Sequence, residues 1–279
     1  MKRVVPFCIS LFGLAACAGP GGVSPTGGLM YQVPEPAGLV YLTGDTTNID
    51  IDAGAMGSFR MRSTSEATVE MEFARGAEGV QVTARFQDLN ARMSQPMGGA
   101  ISATEEDVKG DIVFTLDRKG KATVVTIPEV EGQAGQLANP HGLAYQFFPL
   151  LPGSAVDPGD TWTDTIQYEA DLPEGSVAFL GVMTYVLQGD TTVDGMNLLH
   201  VTFDGEGEVT GSGITEGMDV IQTFSGGMDG FFLWDAVRGV MVATETTTDM
   251  SGTVEVPAAG MPPMPMKAAG TSRARLQGG

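Results

Sequence analysis

Apolar and polar residues alternate with a period of two along most of this chain. Between residues 58 and 73 (SFRMRSTSEATVEMEF), apolar side chains such as Val69 share one face of an extended strand, and charged side chains such as Glu70 share the other. The same alternation runs through residues 80–87 and 199–210. A strand with one buried and one solvated face is typical of antiparallel sheet. The pattern predicts a mainly β protein, with strands over residues 38–52, 58–73, 80–87, 108–116, 121–127, 161–169, 177–188, 199–210, 217–234, 239–256 and 266–276.

One stretch, residues 131–151, breaks this alternation and predicts a short helix. Asn139 followed by Pro140 is a favourable pair for a helix N-terminus. Leu143 and Phe147 follow at helical spacing, and the prolines after them end the helix. A short apolar helix among about a dozen strands needs a sheet to cover. We therefore expect a curved antiparallel sheet, a half-barrel or open barrel, with this helix packed on its concave face.

The first residues have the order of charge and hydrophobicity that is typical of a secretory signal. Lys2 and Arg3 precede an apolar run over residues 4–16 (VVPFCISLFGLAA). A helix of that length rises only about 20 Å, which is short of the roughly 30 Å hydrocarbon core, so a membrane-spanning segment is not expected. We expect residues 1–16 to be a signal peptide.

The signal ends in Leu14-Ala15-Ala16-Cys17, which resembles the lipobox of bacterial lipoproteins. In that family the cysteine thiol receives a diacylglycerol, and the signal is cut directly before it. The resemblance implies cleavage between Ala16 and Cys17, and a mature chain held to a membrane by acyl chains, such as palmitate, on Cys17. Ordinary cleavage after Ala18 is the alternative, and it would leave the chain unanchored. Enteric lipoproteins retained at the inner membrane carry Asp where this chain has Ala18, so the resemblance also implies an outer-membrane location facing the periplasm.

The rest of the chain divides into a tether and one folded body. Gly and Pro dominate residues 17–29, which we expect to be the lipidated N-terminus and a flexible tether about 19 Å long on average. Residues 30–279 are expected to form a single β-rich domain.

A faint internal repeat lies inside that domain. Gly44-Asp45-Thr46-Thr47 recurs as Gly189-Asp190-Thr191-Thr192. A duplication would give two halves, 30–130 and 153–279, around the helical segment 131–152. Turn chemistry alone also accounts for such Gly-Asp pairs, so both interpretations stay open.

A second resemblance lies directly after the helical segment. Leu151-Pro152-Gly153 and Gly159-Asp160-Thr161-Trp162 resemble a segment that marks an uncharacterised family of predicted bacterial lipoproteins. That family implies no activity. A curved antiparallel sheet with one helix is also similar, at the level of fold, to the Lol-type lipoprotein carriers and related envelope lipid binders. This likeness implies a shelter for an apolar ligand.

Composition excludes one class of partner and restricts the chemistry. The chain has 15 Lys+Arg against 34 Asp+Glu and a net charge of −19, so it would repel nucleic-acid phosphates. Hydrophobic residues make up 42%, which is enough for a packed core. The only cysteines are Cys8, inside the signal, and Cys17, so we expect no disulfide in the mature body.

No catalytic motif is recognisable, and no catalytic residue, metal ligand or cofactor is predicted. His141 and His200 are the only imidazoles; they are interpreted as surface or capping residues. An unrecognised hydrolase built on one of them, with a serine and a carboxylate such as Asp204, is the third-ranked hypothesis. Acidic pairs such as Asp50 and Asp52 follow from the acidic composition.

A methionine-rich run, Met261-Pro-Pro-Met264-Pro-Met266, lies between the last two predicted strands. Thioethers suit Cu(I), but flexible methionines also form a compliant apolar lip or pack in a core. With Leu143 and Phe147 of the helix, these three methionines are the predicted lining for an apolar ligand. The favoured hypothesis is a membrane-anchored, non-enzymatic envelope lipoprotein that shelters such a ligand. The alternative is a structural lipoprotein that has no ligand cavity and binds envelope proteins.

Overall fold

The chain is described here by a computed structural model that covers most of the predicted β-rich body. The predicted signal peptide, Cys17, nearly all of the tether and Met261 lie outside the described residues. All described residues follow residue 28, so a chain that begins at residue 18 contains the whole described core; we call residues 18–279 the unlipidated body. The described ranges are 29–54, 57–77, 79–94, 99–130, 140–172, 175–215, 218–260 and 262–278.

Fourteen strands and one α-helix make up the described fold. Two short 3-10 helices, Glu105–Asp107 and Pro257–Ala259, connect strands. In chain order the elements are β1 (Gly38–Asp52), β2 (Ser58–Arg75), β3 (Val80–Ser94), β4 (Ala100–Thr104), β5 (Val108–Lys109), β6 (Ile112–Leu116), β7 (Ala122–Thr126), β8 (Glu129–Val130), α1 (Pro140–Phe147), β9 (Thr161–Leu172), β10 (Gly175–Val193), β11 (Met196–Thr215), β12 (Met218–Asp235), β13 (Val240–Glu255) and β14 (Met264–Leu276).

Twelve of these strands form one antiparallel sheet that curls into a half-barrel, as predicted. The order across it is β7-β6-β3-β2-β1-β14-β13-β12-β11-β10-β9, and β4 also pairs with β3. The first and last strands meet at its centre, where Tyr41 lies opposite Leu276. The two segments of the chain before and after α1 therefore build one continuous sheet, whose edges are β7 and β9.

The helix α1 packs on the concave face, which confirms the predicted architecture. Phe147 is buried and meets the ring of Tyr41 edge to face at 5.3 Å. The next residue, Phe148, meets Phe114 of β6 at 5.6 Å. Just beyond the helix, the indole N–H of Trp162 donates to the carbonyl of Leu150 at 3.0 Å. Aromatic contacts and backbone carbonyls thus fix both the helix and the segment that leaves it.

Two predicted strands differ from the structure because of local backbone events. Residues 108–116 were expected to be one strand, but Gly110 adopts φ +103° and divides them into β5 and β6. That left-handed conformation favours glycine and interrupts a ladder. In the other case β3 continues to Ser94, well past residue 87, because Gln87 is an extra, unpaired residue of β3 between the Thr68–Asp88 and Val69–Phe86 pairs and shifts the alternation along β3.

A row of glycines on the concave face allows the sheet to curl tightly. Gly181, Gly207 and Gly226 lie opposite one another on three adjacent strands, β10, β11 and β12. The ring of Phe179 covers the first two, since a Cβ on Gly207 would lie 3.0 Å from that ring. The row therefore provides the space in which Phe179 lies flat against the sheet.

Gly226→Ala is expected to lower the free energy of unfolding by about 2–3 kcal/mol. A Cβ at this position would overlap the carbonyl oxygen of Asp249 and lie 2.7 Å from Cα of Met250, so backbone must move. The matched control is Gly227→Ala, whose Cβ would meet only the Gly205 oxygen at 3.9 Å. Urea unfolding of the unlipidated body measures both. Equal stability of the two variants would show that close strand approach does not explain the glycine row.

Candidate functional site

The concave face of the sheet forms a trough, and α1 lies in it with a cavity on each side. One cavity lies between the helix and strands β9 to β14; we call it the aromatic cavity. The other lies between the helix and strands β1 to β4; we call it the hydroxyl groove. Gln146 of α1 and Ser272 of β14 border both cavities.

The aromatic cavity has a volume of about 210 Å³. Tyr145 of the helix stacks on Tyr168 of β9 at 5.4 Å, and Tyr168 stacks on Phe179 of β10 at 5.6 Å. Burial raises the pKa of Tyr145 and of Tyr185, so both phenols stay neutral. This side of the helix offers flat apolar surface, completed by the rings Phe148, Tyr185 and Phe203.

The hydroxyl groove is larger, about 360 Å³, and has two unlike walls. Strands β1 and β2 contribute small polar side chains, while strands β3 and β4, Ala67 of β2 and Leu143 of the helix contribute apolar ones. The polar wall is Thr43, Asp45, Thr47, Ser63 and Ser65. The apolar wall is Ala67, Phe86, Leu89, Ala91, Ala103 and Leu143.

Asp45 is the central polar residue of the groove. It lies opposite Ser272 in the β1–β14 register and opposite Ser65 in the β1–β2 register. The side-chain amide of Gln146 donates to Asp45 Oδ1 at 3.1 Å and to Ser272 Oγ at 2.8 Å. Burial raises the pKa of the Asp45 carboxyl above its usual value, although its hydrogen bonds with Ser272 and Gln146 act to lower it. The groove thus holds a carboxylate whose two hydrogen-bonding partners are neutral.

The far end of the trough is filled by its own side chains. Phe179 belongs to a second buried cluster, in which the tightly curled strands β10, β12, β13 and β14 pack against each other. Among the described residues, no side chain of α1 belongs to it. The other buried members are Phe224, Met250, Val254 and Met266. Open space in the trough is therefore found beside the helix.

The predicted lining residues have separate places in this arrangement. Leu143 lines the hydroxyl groove. Phe147 is 2% exposed and fills the core beneath the helix, outside the lining of either cavity. Met264 and Met266 pack into the second buried cluster, and Met261 lies outside the described residues. The larger part of the site, including Asp45, Gln146 and the stacked rings, was not predicted.

Among the residues considered for catalysis, His200 and Asp204 line neither of the two trough cavities. The ring of His200 meets Phe231 edge to face at 5.6 Å, and the side chain of His141 lies outside the described part. Asp50 is paired with Arg60 at 2.6 Å on the exposed side of β1 and β2. No group of three or more His, Cys, Asp or Glu side chains in the described ranges could hold a metal ion.

A third cavity, about 460 Å³ and mainly polar, is lined mostly by residues of β1, β2 and β14 whose side chains point to the convex face. Its charged residues are Asp45, Arg62, Glu66 and Arg273, and Arg273 is paired with Glu245 at 3.1 Å. Thr46, Thr64 and Thr271 complete much of its surface. The alternating charges are typical of cross-strand pairs on a solvated sheet face.

Comparison with known proteins identifies no family for this chain. No protein-family model matches the sequence, and no curated protein matches it. The crystal structure of Acinetobacter baumannii OccAB2 is a structural match with 8% sequence identity, which covers 87% of this chain and 98% of that chain. Its TM-score is 0.23, a value too low to carry an argument about fold or function. Within the described ranges, no helix has the length and hydrophobicity needed to cross a membrane.

Proposed function

We propose that this chain is a membrane-anchored, non-enzymatic lipoprotein of the bacterial cell envelope that shelters an apolar ligand, such as a lipid, in its trough. The anchor is the lipid expected on Cys17, and the location is the periplasmic face of the outer membrane. The observation that carries the proposal is the open space on both sides of α1. Ligand cavities are usually about 300–1,000 Å³. The hydroxyl groove, at about 360 Å³, falls in that range, and the aromatic cavity adds about 210 Å³.

The walls of the two cavities support binding over catalysis. Their described lining contains aromatic rings, aliphatic side chains and hydroxyls, with Asp45 as its one charged group. None of these residues is His, Cys or Lys, so a nucleophile with an adjacent nitrogen base is not assembled there. A surface of this kind holds hydrocarbon by excluding water from it.

A purely structural role, with the chain holding an envelope protein, is the second candidate. The observation in its favour is the edge strand β7, where Val125 is 60% exposed. Unpaired edge strands with apolar side chains are templates for strand addition by a partner. This role needs no ligand in the trough, so ligand binding separates the two candidates.

Thr246→Trp is expected to weaken binding of N-phenyl-1-naphthylamine, a neutral apolar fluorophore, by at least about tenfold. Thr246 lines the aromatic cavity, so an indole ring in its place would occupy the space that an apolar ligand needs. Fluorescence titration of the unlipidated body measures the affinity.

Thr247→Trp is the matched control, because Thr247 lies next along β13 and is exposed on the opposite face. This variant should bind the fluorophore as the unchanged body does. Absence of binding by the unchanged body would contradict a ligand in the trough and favour the structural role. Equal binding by both variants would show that the fluorophore does not occupy the aromatic cavity.

A further inference from the structure

We propose that the polar end of the ligand carries a hydroxyl or ammonium group and no net negative charge, and that Asp45 receives it in the hydroxyl groove while the hydrocarbon lies along the apolar wall and α1. This inference rests on the proposed function and adds to it the chemical class of the ligand: a neutral or cationic amphiphile.

Charge complementarity is the first argument. Asp45 is the one charged residue among the described residues that line the aromatic cavity and the hydroxyl groove. Its hydrogen-bonding partners, Gln146 and Ser272, are neutral, and no described cation forms an ion pair with it. A carboxylate or phosphate placed beside it would bring two like charges together in a partly desolvated site, whereas an ammonium group would neutralise it.

Unused hydrogen-bonding capacity is the second argument. The hydroxyls of Thr43, Thr47, Ser63 and Ser65 line the same wall as Asp45, and none has a hydrogen-bond partner among the described side chains or backbone. They lie in register on two paired strands, with Thr47 opposite Ser63. A polar group on the ligand would therefore find several hydroxyls beside the carboxylate.

The opposite wall is suited to hydrocarbon. Leu143 of the helix, Leu89 and Ala91 of β3 and Ala103 of β4 all line this side of the groove. Polar and apolar halves of a ligand would thus be bound along the two sides of one groove.

The carboxylate of Asp45 also interrupts the alternation of β1, because it occupies a face that is otherwise apolar or hydroxyl-bearing. Partial burial of a charge that has no ion-pair partner opposes folding, so ligand binding explains this carboxylate better than stability does.

The test compares molecules that share one decyl chain and differ in their polar end. Decylammonium, decanol and decanoate, each below its aggregation concentration, are titrated into the unlipidated body, and calorimetry measures their affinities directly. Decylammonium and decanol are expected to bind at least about tenfold more tightly than decanoate. Ethylammonium, which lacks the decyl chain, should not bind measurably.

Asp45→Asn removes the charge and keeps the size of the side chain. In this variant the preference for decylammonium over decanoate should fall to within about threefold. Asp50→Asn is the matched control, since Asp50 lies on the same strand but on its exposed face, paired with Arg60. It should keep the full preference. Circular dichroism shows whether each variant retains the native β signal.

Each outcome decides between the ideas. Equal affinity for decanoate and decylammonium, no binding of decylammonium or decanol, or an unchanged preference in Asp45→Asn would overturn the inference while the proposed shelter for apolar ligands stands. Binding of ethylammonium as tight as that of decylammonium would show a site for small amines and overturn it as well. If the unchanged body does not bind the fluorophore, the proposed function fails, and this inference fails with it.

Discussion

Phe147→Ala is expected to lower the free energy of unfolding by about 3–5 kcal/mol and to release α1 from the trough. The side chain is 2% exposed and meets Tyr41 edge to face, so its removal leaves a cavity between helix and sheet. The helix is only eight residues long and would not form by itself in water. It persists because Phe147 and Phe148 pack against the sheet, and it forms one side of both cavities.

Urea unfolding of the unlipidated body, followed by circular dichroism, measures the loss of stability, and fluorophore titration measures the loss of binding. Tyr145→Phe is the matched control on the same helix. It removes only the hydroxyl that donates to the Gln167 carbonyl at 3.2 Å, so its effect should stay within about 1.5 kcal/mol. If Phe147→Ala were as stable as the control and bound the fluorophore normally, α1 would not be the element that shapes the trough.

The architecture was predictable because burial on one face leaves a direct trace in the sequence. Strand β1 begins and ends where the alternation does, at Gly38 and Asp52. Prolines and helical spacing marked α1 in the same way. The short strands β4 and β8 were missed, since five and two residues are too few for a period of two to stand out. The pairing order depends on contacts between distant segments, and a pattern within one strand does not record it.

The candidate site was mostly not predictable, because its residues come together only in the fold. Gln146 and Ser272 are separated by 126 residues and meet through a single hydrogen bond. One signal was present: Asp45 shares its strand face with Leu39 and Tyr41, where a carboxylate is out of place. The methionine run drew attention by composition, yet Met266 is 4% exposed within a packed cluster. The methionine-rich composition pointed to Met266 as a lining residue, whereas the position of a carboxylate on an apolar strand face would have pointed to Asp45.

Cys17→Ser is expected to abolish lipid attachment and the processing that depends on it. In the lipoprotein family that Leu14-Ala15-Ala16-Cys17 resembles, the thiol is the atom that carries the diacylglycerol, and a serine hydroxyl does not replace it. The variant should therefore keep its first 16 residues and carry no acyl chain. Two or more acyl chains are needed for a long-lived membrane anchor, since each buried methylene group contributes only about 0.8 kcal/mol.

Cys8→Ser is the matched control, because the chain has only these two cysteines and Cys8 lies inside the expected signal. Its product should be processed, acylated and recovered with the membrane fraction like the unchanged protein.

Incorporation of radiolabelled palmitate into the native chain and these two variants tests the anchor on which the proposed function depends. The expected result is label in the native chain and in Cys8→Ser, and none in Cys17→Ser. Unlabelled native chain, or a Cys17→Ser form that is processed and fractionates like the native one, would contradict it and leave a β protein with a trough but no attachment to a membrane.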